Sequence, residues 1–169
     1  MKYRVLKKQH ISKMCFVCGD RNDFGLHAKF YETDDNQLVA VINPSEQHQG
    51  YPGRMHGGLA ATILDETMAR SICNGKDEQI WGVTIELKTR FRKPVPLGME
   101  LKVMGRVTSE GSRSFESTGE IVLPNGEIAV SAEGKYIKMK IGKIANDQSL
   151  EDDWFFADSM DDPSEIEIP

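Results

Sequence analysis

His56, Gly57 and Gly58 stand immediately before a mostly apolar run, residues 59–64, and two carboxylates, Asp65 and Glu66, close that run. Glycine lets a backbone approach a ligand closely. The first turn of a helix presents unpaired N–H groups to developing negative charge. A carboxylate two turns further on is expensive to bury unless it is used or paired. Amide donors, a histidine and an acid on one element together form a candidate active site.

The two acids differ in their helical neighbours. Glu66 has Thr62 four residues before it and Arg70 four after, a polar stripe with a built-in surface ion pair. Asp65 has Ala61, Met68, Ala69 and Ile72 at helical spacing, which is an apolar face. Asp65 is therefore the candidate catalytic acid. The helix that carries both is expected over residues 58–73, with Asn74-Gly75 as its stop.

The other elements must position that helix. Residues 27–31 and 37–42 are strand-like around a Thr33-Asp34-Asp35-Asn36 turn, and a polar loop with two prolines and two glycines, residues 43–53, leads to His56. After the helix, apolar and polar residues alternate from Trp81 to Arg92, with Thr84 on the polar side. Further strands are expected over 99–108, 115–123 and 127–138, the last two joined by Pro124-Asn125-Gly126, a hairpin signal. The pattern is α+β: one long buried helix against an antiparallel sheet of five to six strands, without the strand–helix alternation of a parallel sheet.

With 169 residues the chain is long enough for one full core. The domain is expected over residues 1–142, with 1–14 as an N-terminal extension forming a short amphipathic helix or a frayed end. Nine acids and no Lys or Arg fall in residues 144–169, leaving 21 basic against 17 acidic residues before them. The acidic tail, 143–169, is expected to be partly disordered or docked through Trp154-Phe155-Phe156. A mildly basic body suits a phosphate-bearing small ligand and is too weakly charged for nucleic acid. No apolar run approaches a membrane span, and three cysteines without a sign of export point to a reducing cytoplasm. Cys15-Phe16-Val17-Cys18 is half of a zinc motif whose second half is missing, so the pair is expected to pack as small hydrophobes in a turn, with no metal.

One helix enclosed by an antiparallel sheet and entered through His-Gly-Gly resembles the hotdog-fold thioesterases, in particular the phenylacetyl-CoA thioesterase-like (PaaI-like) branch of the 4-hydroxybenzoyl-CoA thioesterase superfamily. The residues that carry the resemblance are Cys15-Phe16-Val17-Cys18-Gly19 with Gly25-Leu26, Gly53-Arg54-Met55-His56-Gly57-Gly58, Asp65, and Phe91-Arg92-Lys93-Pro94-Val95. The resemblance implies an acyl-CoA thioesterase that needs no cofactor, with Asp65 as nucleophile or general base and the Gly57 amide polarising the thioester carbonyl. It implies that His56 positions the thioester, and that sites form between subunits of a homodimer or homotetramer, with Thr84 supplied by the partner. Gly58, Gln49, Arg90, Arg92 and Lys93 are its implied substrate contacts, the basic three through the phosphates of coenzyme A. Many relatives carry Asn or Gln six residues before the histidine, where this chain has Gly50, so Gln49 is the implied substitute. The alternative is a non-catalytic acyl-CoA-binding or ligand-sensing protein on the same fold. A dehydratase would need a histidine base, and neither His48 nor His56 has the flanking pattern for one.

Overall fold

The structure, a computed structural model, describes residues 1–76, 80–145, 153–157, 159 and 161–169. Asp147, Glu151, Asp152 and Asp158 of the acidic tail lie outside the described residues. Helix α1 runs from Gly57 to Arg70 and tightens into one 3₁₀ turn at Ser71–Cys73. Ile63, Leu64 and Met68 are wholly buried in it. Each contributes roughly 1.5–3 kcal/mol relative to an exposed side chain.

The strands are β1 (Lys2–Lys8), β2 (Ile11–Ser12), β3 (Lys29–Thr33), β4 (Leu38–Ile42), β5 (Ile80–Phe91), β6 (Leu101–Glu110), β7 (Ser114–Val122), β8 (Ile128–Lys140), β9 (Trp154–Phe155) and β10 (Glu165–Glu167). A four-residue helix, α2 (Ile141–Ile144), follows β8. The main sheet is antiparallel, in the order β10-β1-β3-β4-β6-β7-β8-β5, and α1 packs across its middle and β5 end. Three strand glycines make room for the helix. A Cβ on Gly105 would stand 2.9 Å from the Thr67 carbonyl oxygen, one on Gly119 2.9 Å from Met68 Cγ, and one on Gly82 3.0 Å from the Ala69 oxygen.

The sheet has eight strands rather than five or six because both chain ends join it. Residues 2–8 are a strand, neither the short amphipathic helix nor the frayed end expected. Tyr3 is buried between exposed Lys2 and Arg4, a period of two that pairs with β3 on one side and β10 on the other. The described part of the tail is packed on the domain. Trp154 and Phe155 pair with Ser12 and Ile11, and the Trp154 ring meets Trp81 edge-on at 4.8 Å. Asp162 takes a salt bridge from Lys8 at 2.8 Å and a hydrogen bond from the Tyr31 hydroxyl at 2.8 Å. Among the described residues no helix is long and apolar enough to cross a membrane.

Candidate active site

Asp65 lies half-buried on the side of α1 that faces β5 and β8. Thr84 Oγ1 donates to Asp65 Oδ1 at 2.9 Å, and the Tyr136 hydroxyl donates to the same oxygen at 3.2 Å. Burial raises the Asp65 carboxyl above its ordinary value; the bonds from Thr84 and Tyr136 pull it down, and the neighbouring Glu66 charge adds to the rise. Burial and the Asp65 charge push the Tyr136 phenol well up, so it stays a donor.

Thr84 reaches Asp65 because β5 is not a regular strand. The pairing of β5 with β8 shifts register between Thr84 and Glu86. Such a bulge inserts one residue and reverses the alternation beyond it. Thr84 therefore faces the helix instead of the polar side, and the inserted Ile85 is exposed. The resemblance implied a threonine from a partner subunit, whereas within this single chain Thr84 already holds Asp65. Tyr136 sits directly opposite Thr84 in the register and is wholly buried, stacked on Phe115 with ring centroids 5.0 Å apart. Its ring lies over Gly134, where a Cβ would stand 2.5 Å from the hydroxyl. No motif marks Tyr136 in the sequence; the only signal was that a tyrosine in a core strand needs a partner for its hydroxyl.

Glu66 forms an ion pair with Arg70 at 2.7 Å, but not on the surface as expected. Arg70 is buried. Its other nitrogens donate to the His10 carbonyl at 2.8 Å and Cys18 Sγ at 3.3 Å, and its guanidinium lies 4.5 Å from the Phe30 ring centroid. The N-terminal strands wrap over this part of the helix, and that wrapping was not visible in local spacing.

At the start of α1 the amides can be counted. His56 caps the helix, its Nδ1 accepting from Gly58 N at 3.0 Å, and the N–H groups of Leu59 and Ala60 go to the His56 carbonyl. The amide of Gly57 is left without a protein partner among the described residues. Gly57 and Gly58 are both exposed. Gly57 borders an apolar groove of about 300 Å³ formed by Tyr51, Met55, Ala60, Phe91, Pro94 and Val95. Arg92 and Lys93 stand at the rim of that groove, whereas Arg90 lies on the outer face of the sheet in a shallow depression with Lys88 and Arg106. Lys93 is paired with Glu127.

Gln49 does not supply the expected amide by a simple shift. Its Oε1 accepts from Gly53 N at 2.8 Å and closes the turn before His56. Gly50 has a steric reason to be glycine, since a Cβ there would stand 3.0 Å from His56 Cα. His48 is buried with both nitrogens used: Nδ1 accepts from Ser45 N at 2.9 Å, and Nε2 lies 3.1 Å from the carbonyls of Phe24 and Gly25. It braces two loops and has no nitrogen left to serve as a base.

One chain thus brings Asp65, Thr84 and Tyr136 together and leaves Gly57 apart. The two ends of the site stand about 12 Å from each other along α1, eight residues at ~1.5 Å each.

Residues 52–130 match the family model described as the Thioesterase superfamily. Among curated proteins, the chain is 28% identical over 95 residues to acyl-coenzyme A thioesterase THEM4 of Xenopus laevis, covering 54% of this chain and 40% of that protein. The chain spans about half the length of the first curated relatives it matches. Among solved structures, a thioesterase superfamily protein superposes with a TM-score of 0.67 at 27% identity, over 75% of this chain and 61% of that one. The PaaI protein of the E. coli phenylacetic acid degradation operon superposes at 0.60 with 18% identity, over 68% of this chain and 80% of that one, a likeness of fold. The resemblance read from the sequence holds, and the fold is the hotdog fold.

Proposed function

From the premise of a hotdog domain similar to the thioesterase superfamily, we propose that this chain hydrolyses an acyl- or aryl-coenzyme A thioester to the free acid and coenzyme A. The observation that carries the reading is the Asp65 carboxylate, half-buried and aligned by the Thr84 and Tyr136 hydroxyls. A thioester is already activated, so a positioned carboxylate and one oxyanion donor suffice without a resident cofactor. Asp65 either takes a proton from the attacking water, or attacks the carbonyl carbon directly to give a mixed anhydride that water then hydrolyses to the free acid, restoring the carboxylate. The thioester oxygen, negative in the tetrahedral state, accepts from the Gly57 amide, and the C–S bond then breaks to release the thiolate of coenzyme A. Thr84 and Tyr136 orient the acid. His56, whose Nδ1 serves the helix cap, presents its remaining nitrogen beside Gly57 and Gly58, and Arg92 and Lys93 at the groove rim, with Arg90 outside it, suit phosphates.

A carbonyl cannot touch two groups 12 Å apart, so one thioester uses Asp65 of one chain and Gly57 of another. Strand β5 supports such pairing. Among the described residues it is a twelve-residue edge strand with β8 as its one sheet neighbour and with Ile80, Ile85 and Phe91 exposed along it. The proposed enzyme is accordingly a homo-oligomer, a dimer or a pair of dimers. A cytoplasmic location is part of the reading, supported by three cysteines that form no disulfide.

The test is Asp65→Asn assayed for thiol release against a panel of aromatic, short-chain and long-chain acyl-CoAs. Turnover is expected to fall by about 10²–10⁴-fold. Wild-type turnover in the variant refutes the assignment of Asp65. Binding by calorimetry without turnover in the wild-type protein would instead make the chain a ligand sensor.

A further inference from the structure

The hydrolytic reading does not use a second cluster, on the Glu66 side of α1. Cys15 and Cys18 lie on the turn between β2 and β3, Glu66 comes from the helix, and their ligand atoms all lie within 4.8 Å of one another. Tetrahedral zinc, with Zn–S of about 2.3 Å and Zn–O of about 2.0–2.2 Å, holds its ligand atoms roughly 3.5–3.8 Å apart. The three side chains need only small rotations to meet that geometry.

The turn is built around its sulfurs. The amides of Val17 and Cys18 donate to Cys15 Sγ at 3.3 and 3.5 Å. The Ser12 amide and Arg70 Nη2 donate to Cys18 Sγ at 3.4 and 3.3 Å. Four N–H groups thus hold the two sulfurs in place on one side of the turn, next to Glu66. After Cys18 the chain folds back so tightly that a Cβ on Gly19 would stand 2.5 Å from the Cys15 oxygen and 2.7 Å from the Lys13 oxygen. With metal bound and the thiol protons released, two thiolates and Glu66 oppose the Arg70 guanidinium and the divalent cation, and the largely buried group is neutral.

We propose that Cys15, Cys18 and Glu66 bind a divalent thiophilic metal ion, zinc by ligand chemistry, which ties the β2–β3 turn to α1. Glu66 keeps Arg70 on Oε1 and offers its other oxygen to the ion. Binding releases the thiol protons to solvent. Three protein ligands leave the fourth tetrahedral position to water. The sequence showed only half a motif because the third ligand lies on another element and looked like one end of a surface ion pair.

The experiment titrates the full-length, fully reduced protein with Zn²⁺ and, separately, Co²⁺. One equivalent of metal is expected per chain, with thiolate-to-cobalt charge-transfer absorption in the Co²⁺ form. Cys15→Ser, at a half-exposed position, and Cys18→Ser are expected to lose that absorption. Cys73→Ser, outside the cluster, should keep it, and Glu66→Gln should weaken binding at least about tenfold. Zinc should raise the Tm of the wild-type protein and not that of Cys15→Ser. The proposal is overturned if folded, reduced wild-type protein takes up zinc no more tightly than Cys15→Ser, or if the cobalt absorption survives in both cysteine variants. None of these readouts involves thioester hydrolysis, so failure here leaves the proposed activity standing, and loss of activity in Asp65→Asn does not bear on the metal.

Discussion

Gly57 is the first residue of α1, and its N–H is the one helix-entry amide without a partner, so removing that hydrogen tests the oxyanion role directly. Proline does this with little disturbance. Proline is favoured at the first helical position. The preceding residue, His56, has φ −62° and ψ 134°, the extended conformation that a following proline requires. An added Cβ would meet Phe91 Cε1 at 3.4 Å, an ordinary contact. Gly57→Ala introduces the same Cβ and keeps the N–H, so it isolates the hydrogen bond from the steric change. Loss of one oxyanion donor costs about 2.7–4 kcal/mol, or roughly 10²–10³ in kcat; Gly57→Pro should show that loss and Gly57→Ala should stay within about tenfold of wild type. The 12 Å separation adds a second arm. Gly57→Pro and Asp65→Asn chains, each nearly inactive alone, are mixed and allowed to exchange subunits. In a two-fold dimer each mixed pair regains one intact site of two, so an equal mixture should recover about a quarter of wild-type activity. Full activity in Gly57→Pro would refute the donor assignment. A mixture that demonstrably forms mixed dimers and stays inactive would refute the two-chain site.

The remaining predictions concern acid, charge and space. Asp65 works ionised and its carboxyl is raised by burial, so activity should fall on acidification at a pH above the ordinary carboxylate range; Thr84→Val and Tyr136→Phe each remove a bond to the carboxylate, and their pH–rate profiles should shift further up. A carboxyl raised by the fold contributes stability below its unfolded pKa and loses it as pH rises through the folded value, so Asp65→Asn should gain Tm relative to wild type as pH rises above the ordinary carboxylate range; the opposite trend would mean the carboxyl is not raised. Arg70→Ala leaves Glu66 without its buried partner and should destabilise the protein by about 3–5 kcal/mol in urea unfolding. Gly50→Asn restores the amide that many relatives carry but drives a Cβ to 3.0 Å from His56 Cα; it should lower both activity and stability, the latter by about 1–3 kcal/mol, and a faster enzyme would show that the loop accommodates it.

The parts of the fold that depend on short-range pattern were legible. Gly57–Arg70 could be read from helical spacing, and the half-buried place of Asp65 from its apolar helical neighbours. The strands after the helix followed from alternation and from Asn125-Gly126. What escaped depended on contacts between distant segments. The first residues became a strand because β3 and β10 flank them, and a seven-residue basic stretch does not reveal its neighbours. Arg70 looked like a surface partner because the segment that buries it, residues 10–18, is far away in sequence.

Thr84 marks the limit most clearly. Strict alternation along residues 81–92 put it on the polar side, because a period of two carried through unbroken assigns every residue to a face. The bulge at Ile85 breaks the period once, and with it the assignment of every residue on one side of the break. No glycine or proline announces the bulge; an isoleucine occupies it, exposed at the edge of the sheet. An exposed isoleucine at the edge of a sheet is the kind of apolar group a second chain would cover. The irregularity that turns Thr84 toward Asp65 therefore also turns Ile85 outward along the free edge, so one inserted residue serves both the alignment of the acid and the surface on which the proposed partner would rest.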